Sequence, residues 1–285
     1  MKIPSYFALF FCISTVIAQE DTRWKITDNH AIQWTIENSA LPHSDNIEMA
    51  GTKVAGIVSY AIDKTGNLEI KRQLFYPQLH PHIKESDPDW YVFRAYLKET
   101  YTDAILPKFY SNDTEFSPGV LKEVTIDGMI TFNHAASKSG ITLSRKLYPS
   151  ASQRLFIEEL HLVNTSNTPV TILYEGVSNR QSKQGIGGTF TYSVQSKGEN
   201  SVTLEPGVST TYEIHFTAQL NDEPEVVNEN SIEKRTHFLE EMRKNLVLET
   251  PNPVFNQLFE FSKIRASESI FDSKLGLIHS PGGGR

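Results

Sequence analysis

Turn-forming residues recur about every ten to twelve positions from Asp21 to about Leu220, and most of the segments between them alternate polar and apolar side chains. That rhythm restricts the chain more than any other feature, because alternation with a period of two buries one face of a strand and leaves the other for solvent or a second layer. Asp63-Lys64-Thr65-Gly66-Asn67 separates the alternating run Val54 to Ile62 from Leu68, Ile70 and Leu74, which predicts a hairpin. Asp127-Gly128 does the same between Val124-Thr125-Ile126 and Met129 to Phe132, and Pro206-Gly207 adds a further turn. The expectation is mainly β: a large antiparallel sandwich. Between His80 and Tyr110 the rhythm loosens, and we expect one strand over Trp90 to Leu97 followed by a long loop.

Near Pro224 the period changes from two to between three and four. Ile232, Thr236, Leu239, Met242 and Leu246 fall on one stripe, which predicts an amphipathic helix. A second helix is expected after Asn252, a good N-cap, with Pro253 at its first position. Its apolar residues, Val254, Phe255, Leu258, Phe259, Phe261, Ile264 and Ile270, cover more than one face and so call for neighbours on several sides.

The first residues read as an export signal. Lys2 precedes an apolar run from Tyr6 to Ile17 interrupted by Ser14 and Thr15, and cleavage is expected after Ala18. The run is short for a membrane span. The only cysteine, Cys12, lies in this leader, so a mature chain would have no disulfide, thiolate ligand or cysteine nucleophile. A secreted or periplasmic protein is the expectation. The net charge of −7 comes without basic blocks, which argues against nucleic acid or an anionic membrane as partner.

The order of these parts, with three local stretches, resembles the six-hairpin glycosidase group. "LSRKLYPSASQRLFIEELHLVNTSNTPVTI" is similar to a segment of its β-supersandwich. "NPVFNQLFEFSKIRASESIF" looks like the first helix of its (α/α)6 toroid, and "SKLGLIHSPGGGR" looks like the loop that follows. The resemblance implies residues 1–18 as signal peptide, 19–222 as β-sandwich, 223–250 as linker helix and 251–285 as the truncated start of a toroid. It also implies an oligo- or polysaccharide partner, and catalytic carboxylates carried by helices and loops deeper in the toroid. On that reading the chain is the amino-terminal portion of an exported glycoside hydrolase, inactive alone. The alternative is a non-catalytic carbohydrate-binding or structural module.

Candidate residues divide accordingly. His279, Ser280, Gly282, Gly283, Gly284 and Arg285 form the expected sugar-facing loop, since glycine backbone approaches hydroxyls closely and His279 and Arg285 supply donors. The bland reading is a simple connection. Trp90 beside Tyr91 is the candidate stacking platform, whereas Trp24 and Trp34 read as core. Glu260 and Glu268, eight apart, share a helix side, but a solvated or salt-bridged face with Lys263 and Arg265 is the expected explanation. His80 and His82 near Asp87 and Asp89 fall short of a metal set, so neither metal nor cofactor is expected.

Overall fold

The computed structural model describes residues 23–27, 30–77, 96–185, 188–273 and 276–279. In chain order the strands are β1 (Lys25–Thr27), β2 (Ala31–Thr35), β3 (His43–Ala50), β4 (Ala55–Ile62), β5 (Leu68–Pro77), β6 (Tyr96–Thr102), β7 (Lys108–Ser111), β8 (Thr114–Glu115), β9 (Leu121–Ile126) and β10 (Ile130–His134). There follow β11 (Ile141–Pro149), β12 (Leu155–Asn164), β13 (Val170–Glu175), β14 (Ser178–Gly185), β15 (Gly188–Lys197), β16 (Ser201–Leu204) and β17 (Ser209–Leu220). Helices α1 (Ser231–Lys244) and α2 (Pro253–Ser267) precede a last pair, β18 (Ile270–Ser273) and β19 (Gly276–His279).

The described residues form an antiparallel β-sandwich with two α-helices. One layer is a nine-stranded sheet in the order β1-β2-β9-β10-β11-β12-β17-β15-β14. The facing layer is split into two four-stranded sheets, β3-β4-β5-β6 and β16-β13-β7-β8. A continuous core joins all three sheets, with Trp34, Val58, Leu74, Phe132, Phe156, Ile172 and Phe216 buried in it. Trp24 precedes β1 rather than lying in a strand, and packs on that core with its ring 6.0 Å from Trp34.

Strand alternation decides which residues meet. Along β12, Phe156, Leu160 and Leu162 point into the sandwich, whereas Leu155 and Ile157 point to the outer face. There they join Met129, Tyr148, Leu239 and Ile264 in a second core, which seats α1 and α2 on the outside of the large sheet. A third, small cluster packs Phe271 of β18 on Ala50, Ala55 and Phe75, on the outer side of the β3–β6 sheet. The two anticipated hairpin turns form. Gly66 and Gly128 both adopt positive φ (86° and 98°), and Asp63 ties its turn together by accepting hydrogen bonds from Thr65 and Asn67.

Three expectations need correction. The strand after the loosened stretch is Tyr96–Thr102, with β7 and β8 soon after, and Trp90 lies outside the described residues. In α1 the stripe differs: Thr236 is exposed and Leu246 lies beyond the helix, exposed, while Arg235 takes the buried place. Ile270 belongs to β18, not to α2.

Charged side chains sit inside the sandwich. Arg72 (β5), Arg145 (β11) and Glu158 (β12) share the parity of their apolar neighbours and point inward, where Arg72 and Glu158 have no exposed surface. Arg72 Nε donates to Glu158 at 2.6 Å, and Arg145 Nε donates to the other carboxylate oxygen at 2.8 Å. Asp103, in the turn after β6, accepts from Arg72 at 2.9 Å and from Arg145 at 2.7 Å, and its second oxygen takes the Ile70 amide. Two cations and two anions thus form a neutral, hydrogen-bonded cluster joining the two layers. Removing one member leaves an unbalanced buried charge, at a cost of about 3–5 kcal/mol. Glu158→Gln is therefore expected to lower stability by that amount in urea unfolding. Arg180→Gln, which breaks the exposed Arg180–Glu225 pair, is expected to change it by less than about 1 kcal/mol.

Candidate functional site

A concavity lies on the outer face of the β3–β6 sheet, a trough of about 730 Å³. Its floor follows from register. Ser59 and Ala61 on β4 stand opposite Asn46 and Ser44 on β3, and opposite Lys71 and Glu69 on β5. Short side chains on the central strand between longer ones leave a channel. Asp103 reaches the trough from the turn beyond β6.

The charge state of Asp103 at this trough is set by the two guanidinium groups beside it. Burial pushes the Asp103 pKa up, but Arg145 and then Arg72 outweigh it and hold the carboxyl down to about 2. Asp63 and Glu213 are also displaced downward, chiefly by hydrogen bonds from Thr65 and His215 respectively. A general acid for glycoside cleavage needs the opposite displacement.

The expected loop is reached only in part. Ser280, Gly282, Gly283, Gly284 and Arg285 lie outside the described residues, as do Trp90, His80 and His82. His279 is described, but on a hairpin strand rather than in a loop. It is exposed in β19, and its Nε2 lies 2.7 Å from the Ser269 hydroxyl. Glu260 and Glu268 do not converge. Glu260 meets His30 at 2.9 Å, in the turn between β1 and β2. Glu268, at the C-cap of α2, is buried against Arg235 and pairs with Arg265 at 2.7 Å. Lys263 does not pair with Glu260. Its ammonium donates to the carbonyls of Arg243, Asn245 and Leu246, each at 2.9 Å, and so neutralises the carboxyl end of α1.

Arg235 is the residue that the stripe assignment overlooked. It donates to the carbonyls of Ala50 (2.9 Å) and Gly128 (2.6 Å) and pairs with Glu268, so one guanidinium holds α1, the end of α2, β3 and the β9–β10 turn together. Its position three after Ile232 and four before Leu239 was the available signal.

One face of α2 has no cover among the described residues. Asn252 caps the helix by accepting from the Val254 amide at 2.9 Å, and Ile264 and Gln257 turn inward. Val254, Phe255 and Leu258 are each more than half exposed, with Leu277 of β19 also exposed. No described helix is long and apolar enough to cross a membrane, and the described residues contain no cluster of three or more potential metal ligands.

Neither a protein-family profile nor a curated protein matches the chain. Solved structures do. One is named as a kojibiose phosphorylase from the human microbiome. It aligns over 87% of this chain at a TM-score of 0.50 and 9% identity. A polysaccharide lyase aligns over 63% of this chain and 33% of its own at a TM-score of 0.30 and 12% identity, a likeness too slight to argue from. The first is a likeness of fold alone. The chain spans 42% of the phosphorylase's length.

Next to the ion cluster, His134 on β10 is buried, its Nδ1 at 2.9 Å from the Gly119 carbonyl. Burial, helped by Arg145, holds its pKa down to about 4 against that hydrogen bond and Asp103. Unfolded histidine takes up its proton near pH 6.5 and the folded side chain only near 4, so stability falls as pH drops through that window. Asp103 then removes more as pH falls from 3.8 to about 2. Thermal or urea unfolding against pH is expected to show both parts. His134→Asn should remove roughly 3 kcal/mol of the change between about pH 7 and pH 4.

Proposed function

We propose that this chain is the sandwich portion of an exported glycoside-cleaving enzyme, in which it supplies a packing layer and polar binding surface while a helical domain carries the catalytic carboxylates. Residues 1–18 serve as the export signal, and α2 serves as the first helix of that domain. The observation that carries the reading is the uncovered face of α2. Val254, Phe255 and Leu258 stand in solvent on a helix whose other side is well seated, and apolar surface of that kind is what a further helix layer covers. The shared fold with a phosphorylase named for the sugar kojibiose supports a carbohydrate setting.

The trough favours a second reading, a free-standing module that holds a saccharide chain without cleaving it. The two separate at Phe255. In this chain alone, Phe255→Lys is expected to leave stability within about 0.5 kcal/mol, as for other exposed sites. In a protein expressed from the reading frame continued past Arg285, the same change is expected to cost several kcal/mol and to lower glycosidase activity. Equal, small effects in both proteins would favour the module.

A further inference from the structure

The sandwich has a second concavity, away from the trough floor, of about 480 Å³. It opens between the segment following β8 and the connection from β10 to β11. We infer that this pocket is a binding site for a neutral sugar ring, a pyranose or a terminal residue of an oligosaccharide. The inference rests on the pocket's own chemistry and does not depend on where catalysis occurs.

Its walls are preorganised. On one side the Phe116 amide donates to the Phe109 carbonyl at 2.8 Å, and the Phe116 ring packs edge-on to Phe109 with centroids 6.5 Å apart. Gly119 lies so close to the opposite strand's exit that a Cβ there would stand 2.3 Å from the Ala135 carbonyl oxygen, and that closeness keeps the wall in place. His134 holds the same Gly119 through its carbonyl. On the other side Ser137 closes a turn with Ile141 and Gly140, and its hydroxyl lies 2.9 Å from that of Ser139.

The lining matches what a sugar ring presents. Thr114 and Ser117 offer hydroxyls that can donate and accept, Ser137 and Ser139 offer a hydroxyl pair in which Ser137 already accepts from the Ile141 amide at 3.2 Å, and Phe116 offers part of an aromatic face. A pyranose has the same mixture of hydroxyl edge and apolar C–H face. Glu115 and Lys138 also line the pocket with opposite charges, which leaves no net charge to select an ion. Behind the wall, the Ser111 hydroxyl is buried with no hydrogen-bond partner among the described residues, an unfavourable state that rotation about its one side-chain torsion would relieve on a bound hydroxyl. The volume falls in the range of small-molecule sites and holds one ring with room for part of a second.

The test is an amide-resolved NMR titration of the full chain with D-glucose and with maltose, with sodium acetate as a charged control. Saturable shifts are expected at residues 114–117, 119 and 137–139, with a dissociation constant on the order of millimolar for so small a ligand. Ser139→Trp, which fills the pocket, should weaken binding at least about tenfold. If that variant fails to fold, Thr114→Trp at an exposed edge position serves the same purpose. Absence of saturable shifts with both sugars would overturn the assignment. So would shifts confined to other surfaces, equal shifts with acetate, or unchanged affinity in the filled variant.

Discussion

The cluster of Arg72, Arg145, Glu158 and Asp103 is the constraint on which the sandwich depends. In it the nine-stranded sheet and the β3–β6 sheet are tied by buried, charged hydrogen bonds as well as by apolar packing. Apolar contacts tolerate sliding, but two guanidinium groups sharing two carboxylates do not. The cluster therefore fixes the relative register of the layers. It also places Asp103 at the trough and anchors the β6 exit from which β7 and its small sheet begin. Burying Arg72, Arg145 and Glu158 is tolerable only because every charge is balanced and hydrogen-bonded, with the half-buried Asp103 completing the set.

A second guanidinium repeats this logic outside the sandwich. Arg235 bonds two carbonyls and Glu268, and so seats both helices on the outer core formed by Tyr148, Leu155 and Ile157. With the inner side of α2 secured in this way, its outward face stays exposed among the described residues. The structure thus separates a settled side, sheet against helix, from an unsettled one at Val254, Phe255 and Leu258.

Much of this was legible in the residues. Period-two alternation located the hairpins around Asp63–Asn67 and Asp127–Gly128, and Asn252-Pro253 marked the start of α2, because these signals act through local backbone geometry. Parity also exposes the ion cluster: Arg72 falls between Ile70 and Leu74, Arg145 between Leu143 and Leu147, and Glu158 between Phe156 and Leu160. What parity cannot supply is the partner across the sandwich, since Asp103 sits 31 positions from Arg72 in a turn with no pattern. Arg235 was hidden for a related reason. A charged residue on a helix is ordinarily assigned to water, and only the two carbonyls and the carboxylate waiting for it reverse that assignment. The site was the least legible part. Concavity depends on side-chain lengths on neighbouring strands, so neither the trough over Ser59 and Ala61 nor the pocket beside Phe116 leaves a motif. His279 proved to belong to a hairpin because Gly276 at φ 97° turns the chain back on β18.

The central proposal is that these residues bind and pack while cleavage takes place on another domain. It is tested most directly by incubating the purified chain with a panel of α- and β-linked disaccharides, with and without inorganic phosphate, and measuring released monosaccharide. The account predicts no release above the protein-free control under any condition. Turnover that persists on purification to homogeneity, and that disappears on substituting a single carboxylate in this chain, would contradict it.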